Sequence, residues 1–201
     1  LAGNGDVTVT SGRAVAKDAN SVAIDLYASH DANLNVTGET LGGLSGVRVS
    51  ALNRAEVTVG AEASVTALGG VGIEFRAVPV PGGSGSPTAG YGASLTTAGH
   101  VGGSGAIAVK FAGGADTLTL LTGASFAGAV DGGGGLDSLV LKGTSSQQTA
   151  DQTFGDIVGF ETAKIETGDW TLAGLLQADS IAIASGATLG GKIALAIGFA
   201  A

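Results

Sequence analysis

The tripeptide Leu118-Thr119-Leu120 and its counterpart Leu139-Val140-Leu141, which follows 21 residues later, decide the fold. Similar short strands precede them at comparable intervals: Val7-Thr8-Val9, Leu34-Asn35-Val36, Val57-Thr58-Val59 and Leu95-Thr96-Thr97. A strand that recurs about every 20 to 25 residues indicates a solenoid, because each unit buries its apolar side against its neighbours. The alternation predicts apolar side chains facing inward and Thr or Asn side chains facing outward.

A second alternating strand follows the first in each of the first four units. Its apolar residues are Val22, Ile24 and Leu26, then Val47 and Val49, then Ile73 and Phe75, then Ile107, Val109 and Phe111. Between the two strands lies a weaker apolar position, occupied by Val15, Leu41, Val65 and Val101. Three short strands per unit predict an all-β fold, a right-handed, three-sided parallel β-helix with a C-terminal capping region. A β-sandwich or barrel is the competing interpretation, but hairpin signals are limited to Asn4-Gly5.

The composition agrees with many short strands joined by tight turns. The 201 residues include 37 Gly, and 44% are hydrophobic, whereas only 4% are aromatic and 13% charged. The hydrophobic fraction argues against a disordered chain, and the scarcity of large side chains argues against a compact globule. The net charge of −8 argues against polyanionic partners, so we expect no nucleic acid to bind. The absence of Cys excludes disulfides and thiolate chemistry.

One interval between repeats is longer than the others. It separates Val57 from Leu95 and contains a Pro/Gly/Ser-rich run at 79–87, so we expect an inserted loop at about 79–92 that projects from the coil. We predict regular β-helix rungs over 1–145, and C-terminal rungs with a cap over 146–201. The sequence has neither a signal peptide nor an apolar run of membrane-spanning length, so we expect a segment of a longer protein.

From about Ala112 onward the motifs are more specific. The run Gly113-Gly114-Ala115-Asp116-Thr117-Leu118-Thr119-Leu120 and the later Gly132-Gly133-Gly134-Gly135-Leu136-Asp137 resemble the glycine-aspartate rungs of autotransporter (type V secretion) passengers. Phe160-Glu161-Thr162-Ala163-Lys164-Ile165, followed by Gly168-Asp169-Trp170-Thr171-Leu172-Ala173-Gly174, resembles the start of the passenger region called the autochaperone. The first 110 residues resemble passengers only by their pattern.

The resemblance implies a non-catalytic stem that is displayed on, or released from, a bacterial surface. Such a stem supports adhesion, self-association or display, and its last rungs are thought to fold first during secretion. The implied partners are a host-cell or bacterial surface receptor, a second copy, and the protein's own outer-membrane β-barrel, which is not in this chain. The residues assigned to a folding nucleus or cap are Phe160, Glu161, Gly168, Trp170, Leu172 and Gly174. No catalytic residue, metal ligand or cofactor is assigned.

Three motifs leave chemical alternatives open. Residues 82–87 resemble a serine-protease nucleophile motif with Gly83 in place of Asp, and His30 and His100 are the only candidate bases. Residues 132–137 match a calcium-binding Gly-Gly-x-Gly-x-Asp repeat in form but have no successive copy. The main alternative is a glycan-binding or glycan-degrading β-helix. Its candidate carboxylates, expected at turns and outward positions, are Asp25, Glu56, Glu74, Asp116 and Asp137.

Overall fold

The computed structural model of the chain describes residues 2–3, 5–77, 92–144 and 155–195. This part of the chain contains strands and turns but no helix, and hence no helix that could cross a membrane. The strands are β1 (Ala2–Gly3), β2 (Val7–Ala16), β3 (Val22–Ala28), β4 (Asp31–Gly42), β5 (Ser45–Ala51), β6 (Arg54–Val59), β7 (Ser64–Ala67), β8 (Val71–Phe75), β9 (Ala93–Thr97), β10 (His100–Lys110), β11 (Gly113–Gly114), β12 (Thr117–Leu121), β13 (Ser125–Asp131), β14 (Gly134–Gly135), β15 (Ser138–Lys142), β16 (Ile157–Thr167), β17 (Asp169–Ile183) and β18 (Thr188–Leu195).

Every strand pairing among these residues is parallel, and each strand pairs with its equivalents in neighbouring rungs. One ladder, which we call the first face, places eight inward residues in register: Val9, Leu34, Val57, Leu95, Leu118, Leu139, Ala163 and Ile181. Eight stacked positions correspond to seven steps along the coil axis. Alternation explains the register, because a slip of one residue would turn the apolar side chains outward.

Two further ladders complete each turn. The second face aligns Ala14, Thr40, Val65, Val101 and Phe126, and near the end of the chain Trp170 pairs with Leu189. The third face aligns Ile24, Val47, Ile73, Val109, Val130, Ile157, Leu176 and Ile193. The predicted three-sided parallel β-helix is therefore confirmed.

The inward side chains of the three faces form one continuous apolar core. Large residues in it lie above one another, as the ring of Phe75 stacks on that of Phe111 at 4.9 Å between centroids. Phe111 in turn meets Phe160 edge to face at 6.2 Å. Aromatic pairs in these geometries contribute about 0.5 to 1.5 kcal/mol beyond their buried area, so this column stabilises the contact between rungs.

Two details of the predicted register are wrong. The first-face partner of Leu34 is Val9 rather than Val7, because Val7 pairs with Ala32, two residues earlier in the strand. On the second face Thr40, not Leu41, aligns with Val65 and is fully buried. A register shift between β2 and β4 moves the inward side of β2 from the odd positions Val7 and Val9 to the even position Ala14, which the spacing of apolar residues alone does not reveal. The predicted loop at 79–92 lies, except for Gly92, outside the described residues.

Candidate functional site

Three of the residues predicted to form a folding nucleus belong to the core of the C-terminal rungs. Phe160, Trp170 and Leu172 are buried, and Trp170 is the largest fully buried side chain among the described residues. The indole Nε1 of Trp170 donates a hydrogen bond to the Thr167 carbonyl oxygen at 2.9 Å, so its polar group is satisfied inside the coil. Phe160 connects the core of the C-terminal rungs to the middle of the coil through its contact with Phe111.

The other three predicted residues have backbone or polar roles. Gly168 has a φ of +91°, and a Cβ there would lie 2.9 Å from the Cα of Gly143. Glu161 accepts a backbone hydrogen bond from Asp137 at 2.5 Å. Gly174 is half-buried at a register shift between β17 and β18. The six residues lie within 160–174, which is less than one turn of the coil, since Ile157 pairs with Leu176 in the next rung.

Large buried apolar residues are not confined to the C-terminal rungs. Phe111 and Phe126 are also fully buried in the middle of the coil. In the last described rungs, side chains with substantial exposure are Ile183 at 50%, Ile193 at 41% and Leu195 at 53%. No described residue lies beyond β18 to cover them, so the predicted cap remains a prediction.

A ladder of acidic side chains, which we call the acid ladder, enters the coil where the first-face strands begin. It consists of Asp116, Asp137 and Glu161 in three successive rungs. Asp116 accepts the amide of Ala93 at 2.5 Å, Asp137 accepts the amide of Asp116 at 2.8 Å, and Glu161 accepts that of Asp137. Each carboxylate therefore binds the backbone of the preceding rung.

The first two members of the acid ladder are buried, contrary to the expectation of turn or outward positions. Asp116 is 2% exposed and Asp137 is 1% exposed, and the Oδ2 atom of each has no hydrogen-bond partner in the structure as described. In preceding rungs the same inward position is occupied by the buried Ala55 and Ala93. Alternation with Leu118 and Leu120 could have predicted the inward direction, because residues two apart share a side.

Burial dominates the electrostatics of these two carboxyls. Desolvation raises the pKa of Asp116 to about 6, against the lowering effect of the Ala93 amide and with a further rise from Asp137. The pKa of Asp137 is also raised by desolvation, opposed by the Asp116 amide and assisted by the charges of Glu161 and Asp131. The charged form of either group is disfavoured because it is removed from water without a cation beside it.

The calcium alternative gains no support from this geometry. No group of three or more His, Cys, Asp or Glu side chains in the described part of the chain is arranged to hold a metal ion. Asp137, the last residue of the calcium-like motif, binds the Asp116 amide instead. The packing around it is close, since a Cβ on Gly132 would lie 2.0 Å from the Gly159 carbonyl oxygen and 3.3 Å from Asp137 Oδ2.

The remaining glycan-hydrolase candidates form ion pairs on the outside of the coil. Arg48 lies between Asp25 at 3.7 Å and Glu74 at 3.1 Å, and Arg76 contacts Glu74 from the other side at 3.2 Å. Glu56 pairs with Arg54 in its own strand. Each of these three carboxylates therefore has a cationic side-chain partner on the outside of the coil.

Polar side chains form two outward columns on the first face. The column beside the core positions contains Thr8, Asn33, Glu56, Ser94, Thr117, Ser138, Thr162 and Ser180. The next column contains Thr10, Asn35, Thr58, Thr96 and Thr119. In the first rungs these residues line a shallow groove of about 110 Å³, where hydroxyl, amide and carboxylate groups are close together.

Both histidines of the protease-like hypothesis lie in the described part of the chain. His100 Nδ1 is 3.0 Å from Ser125 Oγ, its neighbour in the adjacent rung, and His30 is exposed near Gly5. Residues 82–87 lie outside the described residues. The structure therefore assigns His100 a contact on the second face.

No protein-family model, curated protein or solved structure matches this chain. The resemblance to autotransporter passengers consequently rests on the sequence motifs alone.

Proposed function

We propose that this chain is a non-catalytic stem of a surface-exposed autotransporter-type passenger, used in adhesion, self-association or display. In this proposal it stands outside the cell, anchored through an outer-membrane barrel or released, and its C-terminal rungs nucleate folding. The observation that supports a stem best is the continuous parallel stack of first-face strands from β2 to β17. Such a stack makes a rod in which each rung is stabilised by its neighbours.

The nucleation part of the proposal draws on Trp170 and the residues around it. Trp170 is fully buried on the second face and is tied to Thr167 by its indole hydrogen bond. A rung with a large buried side chain and a satisfied polar group offsets more of the entropy of ordering than a rung of Ala and Gly. Such a rung is suited to form before the others and to template them.

The test compares the folding kinetics of two variants, Trp170→Leu and Phe126→Leu. Both replace a fully buried aromatic residue on the second face, one in the C-terminal rungs and one in the middle. If the C-terminal rungs form first, Trp170→Leu slows refolding with a φ-value of about 0.5 to 0.8, whereas Phe126→Leu mainly speeds unfolding with a φ-value below about 0.3. Stopped-flow refolding and unfolding over a denaturant series measures both.

The reverse order would contradict nucleation by the C-terminal rungs. In that case Phe126→Leu would slow refolding, and Trp170→Leu would leave the refolding rate unchanged while unfolding became faster. The equilibrium loss of stability in each variant must exceed about 0.6 kcal/mol for the φ-values to be meaningful. Deleting part of a buried aromatic side chain normally exceeds that limit.

The polar groove favours a second candidate function, the binding of a glycan without cleavage. Asn33, Asn35 and Glu56 supply hydrogen-bond donors and acceptors beside the hydroxyls of Thr8 and Thr58. These groups match the hydroxyl-rich edge of a sugar. The groove is shallow and no aromatic ring lines it, so it would bind one or two sugar units with modest affinity.

Binding of pyranose oligosaccharides to immobilised protein tests this candidate. The double variant Asn33→Ala with Asn35→Ala should weaken binding at least about tenfold, since each lost hydrogen bond contributes roughly 0.5 to 1.5 kcal/mol. The matched control is Thr117→Ala with Thr119→Ala on the same face three rungs further along. Equal affinity of the two double variants would remove the groove as the binding site.

A further inference from the structure

The acid ladder has no cation to balance it. The charged groups that act on the Asp116 and Asp137 carboxyls are one another, Glu161 and Asp131, and all of them are acidic. Among the described residues no Lys or Arg makes an ion pair with any of the three ladder residues. Successive rungs are separated by only about 4.8 Å, so ionised carboxylates there repel one another in a medium of low dielectric constant.

The two Oδ2 atoms indicate what resolves this conflict. Each is buried and lacks a hydrogen-bond partner in the structure as described, while the Oδ1 atom of the same carboxyl accepts a backbone amide. An ionised oxygen held there without a partner carries the full cost of leaving water, and either a cation or a proton would neutralise its charge. Gly132 packs between the Gly159 carbonyl oxygen and Asp137 Oδ2, which argues against a cation with its ligands beside Asp137, whereas a proton needs no additional space.

We propose that the acid ladder is a proton-binding site, occupied in the folded protein on Asp116 or Asp137, which makes the coil more stable in mildly acidic than in neutral medium. The proton removes the repulsion between neighbouring rungs while the backbone hydrogen bonds to Oδ1 remain. This inference does not depend on the proposed function. If the surface location holds, the relevant pH is that of the external medium.

The direction of the effect follows from linkage. The pKa of Asp116 is raised from 3.8 to about 6, so between these values the folded protein binds a proton that the unfolded chain does not. The stability contributed by this proton is fully present below the unfolded pKa and is lost as the pH rises through about 6. Glu166 acts in the opposite direction, because Lys164 and then Lys142 hold its pKa below the usual range.

Direct titration and variant stability test the proposal together. Carbon-13 NMR of the Asp side-chain carboxyls in the whole chain should show one buried carboxyl with a midpoint near 6, as for Asp116. When the pH is lowered from 7.5 to 4.5, the melting midpoint of Asp116→Asn minus that of the wild type should fall by about 5 °C. The control Asp179→Asn should follow the wild type at every pH.

Three results would overturn the proposal. One is ordinary titration of both Asp116 and Asp137 in the NMR experiment, which needs no variant and remains decisive if Asp116→Asn fails to fold. Another is a difference in melting midpoint between Asp116→Asn and the wild type that stays constant across the pH range. The third is a rise of the wild-type melting midpoint in millimolar Ca²⁺ that Asp116→Asn abolishes, because a cation would then occupy the site.

Discussion

At the scale of single residues, glycines with positive φ determine where the chain can turn into the next rung. Gly135 has a φ of +136°, and a Cβ there would lie 1.6 Å from the carbonyl oxygen of Gly114 in the preceding rung. A larger residue at this position would push Gly135 and Gly114 apart, because the atom in contact is a backbone oxygen and because L-residues disfavour this φ. Glycine is therefore required at particular corners, and its abundance in the composition does not show which ones.

Gly168 offers a residue-scale prediction within the proposed folding nucleus. Gly168→Ala should reduce the free energy of unfolding by more than about 1 kcal/mol, because alanine is strained at positive φ and its methyl group would press on Gly143. The control is Gly134→Ala, where a Cβ would meet no atom within 4 Å and which should change stability by less than about 0.5 kcal/mol. Urea denaturation measures both, and equal losses would contradict the strain argument.

Individual residues also show the limit of reasoning from sequence. The inward direction of Leu118, Leu139 and Val57 followed from alternation, and the structure confirms it. The burial of Asp116 and Asp137 did not, because Asp residues are rarely buried without a charged partner. Alternation with Leu118 and Leu139 nevertheless places both residues on the inward side.

At the scale of strands, the spacing of apolar residues predicts the third face of the first four units correctly, misplaces one register on the first face and is insufficient for the second. The apolar spacing on the third face, such as Ile24, Val47 and Ile73, recurs with little disturbance and is confirmed in the pairing. The second face is interrupted by register shifts and carries small or polar inward residues such as Ala14 and Thr40. A hydrophobic pattern does not identify the inward positions where the interior is so narrow that small side chains are required whether they are polar or apolar.

At 15 residues, β17 is the longest strand among the described residues, although β2, β4 and β10 in earlier rungs also span two faces with 10 to 12 residues. β16 and β17 run for 11 and 15 residues and pair with each other over two faces, with one register shift. Long strands of this kind combine the corner and the two faces in one ordered element. They can form many contacts between adjacent rungs at once, which favours early formation over assembly from separate short strands.

At the scale of the whole molecule, the parallel coil is close to a one-dimensional object. Most pairings join a strand to the equivalent strand of the next rung, so stability is approximately a sum over rungs and their interfaces. Two consequences follow. A defect within a rung separates the rungs on either side of it, whereas an insertion at a corner leaves the stack intact.

The final prediction applies this reasoning to the inserted segment. Val49 and Val57 are eight positions apart in the sequence, whereas their equivalents Phe75 and Leu95 are 20 apart, an excess of 20 − 8 = 12 residues. Deleting residues 79–90 should therefore join two ordinary rungs, because β8 and β9 each pair on both sides without it. The melting midpoint should change by less than about 2 °C, since shortening a loop alters its closure entropy only slightly.

The matched control removes the same number of residues from inside a rung. Deleting residues 113–124 eliminates β12, which joins β9 to β15. We expect this variant to lose cooperative unfolding and much of its β-sheet circular dichroism, because the first face is cut and the core positions Leu118 and Leu120 are lost. If deleting residues 79–90 destabilised the protein as much as deleting residues 113–124, the inserted segment would have to pack against the coil and contribute to its stability. Loss of receptor or surface binding with an unchanged melting midpoint would instead assign binding to the inserted segment.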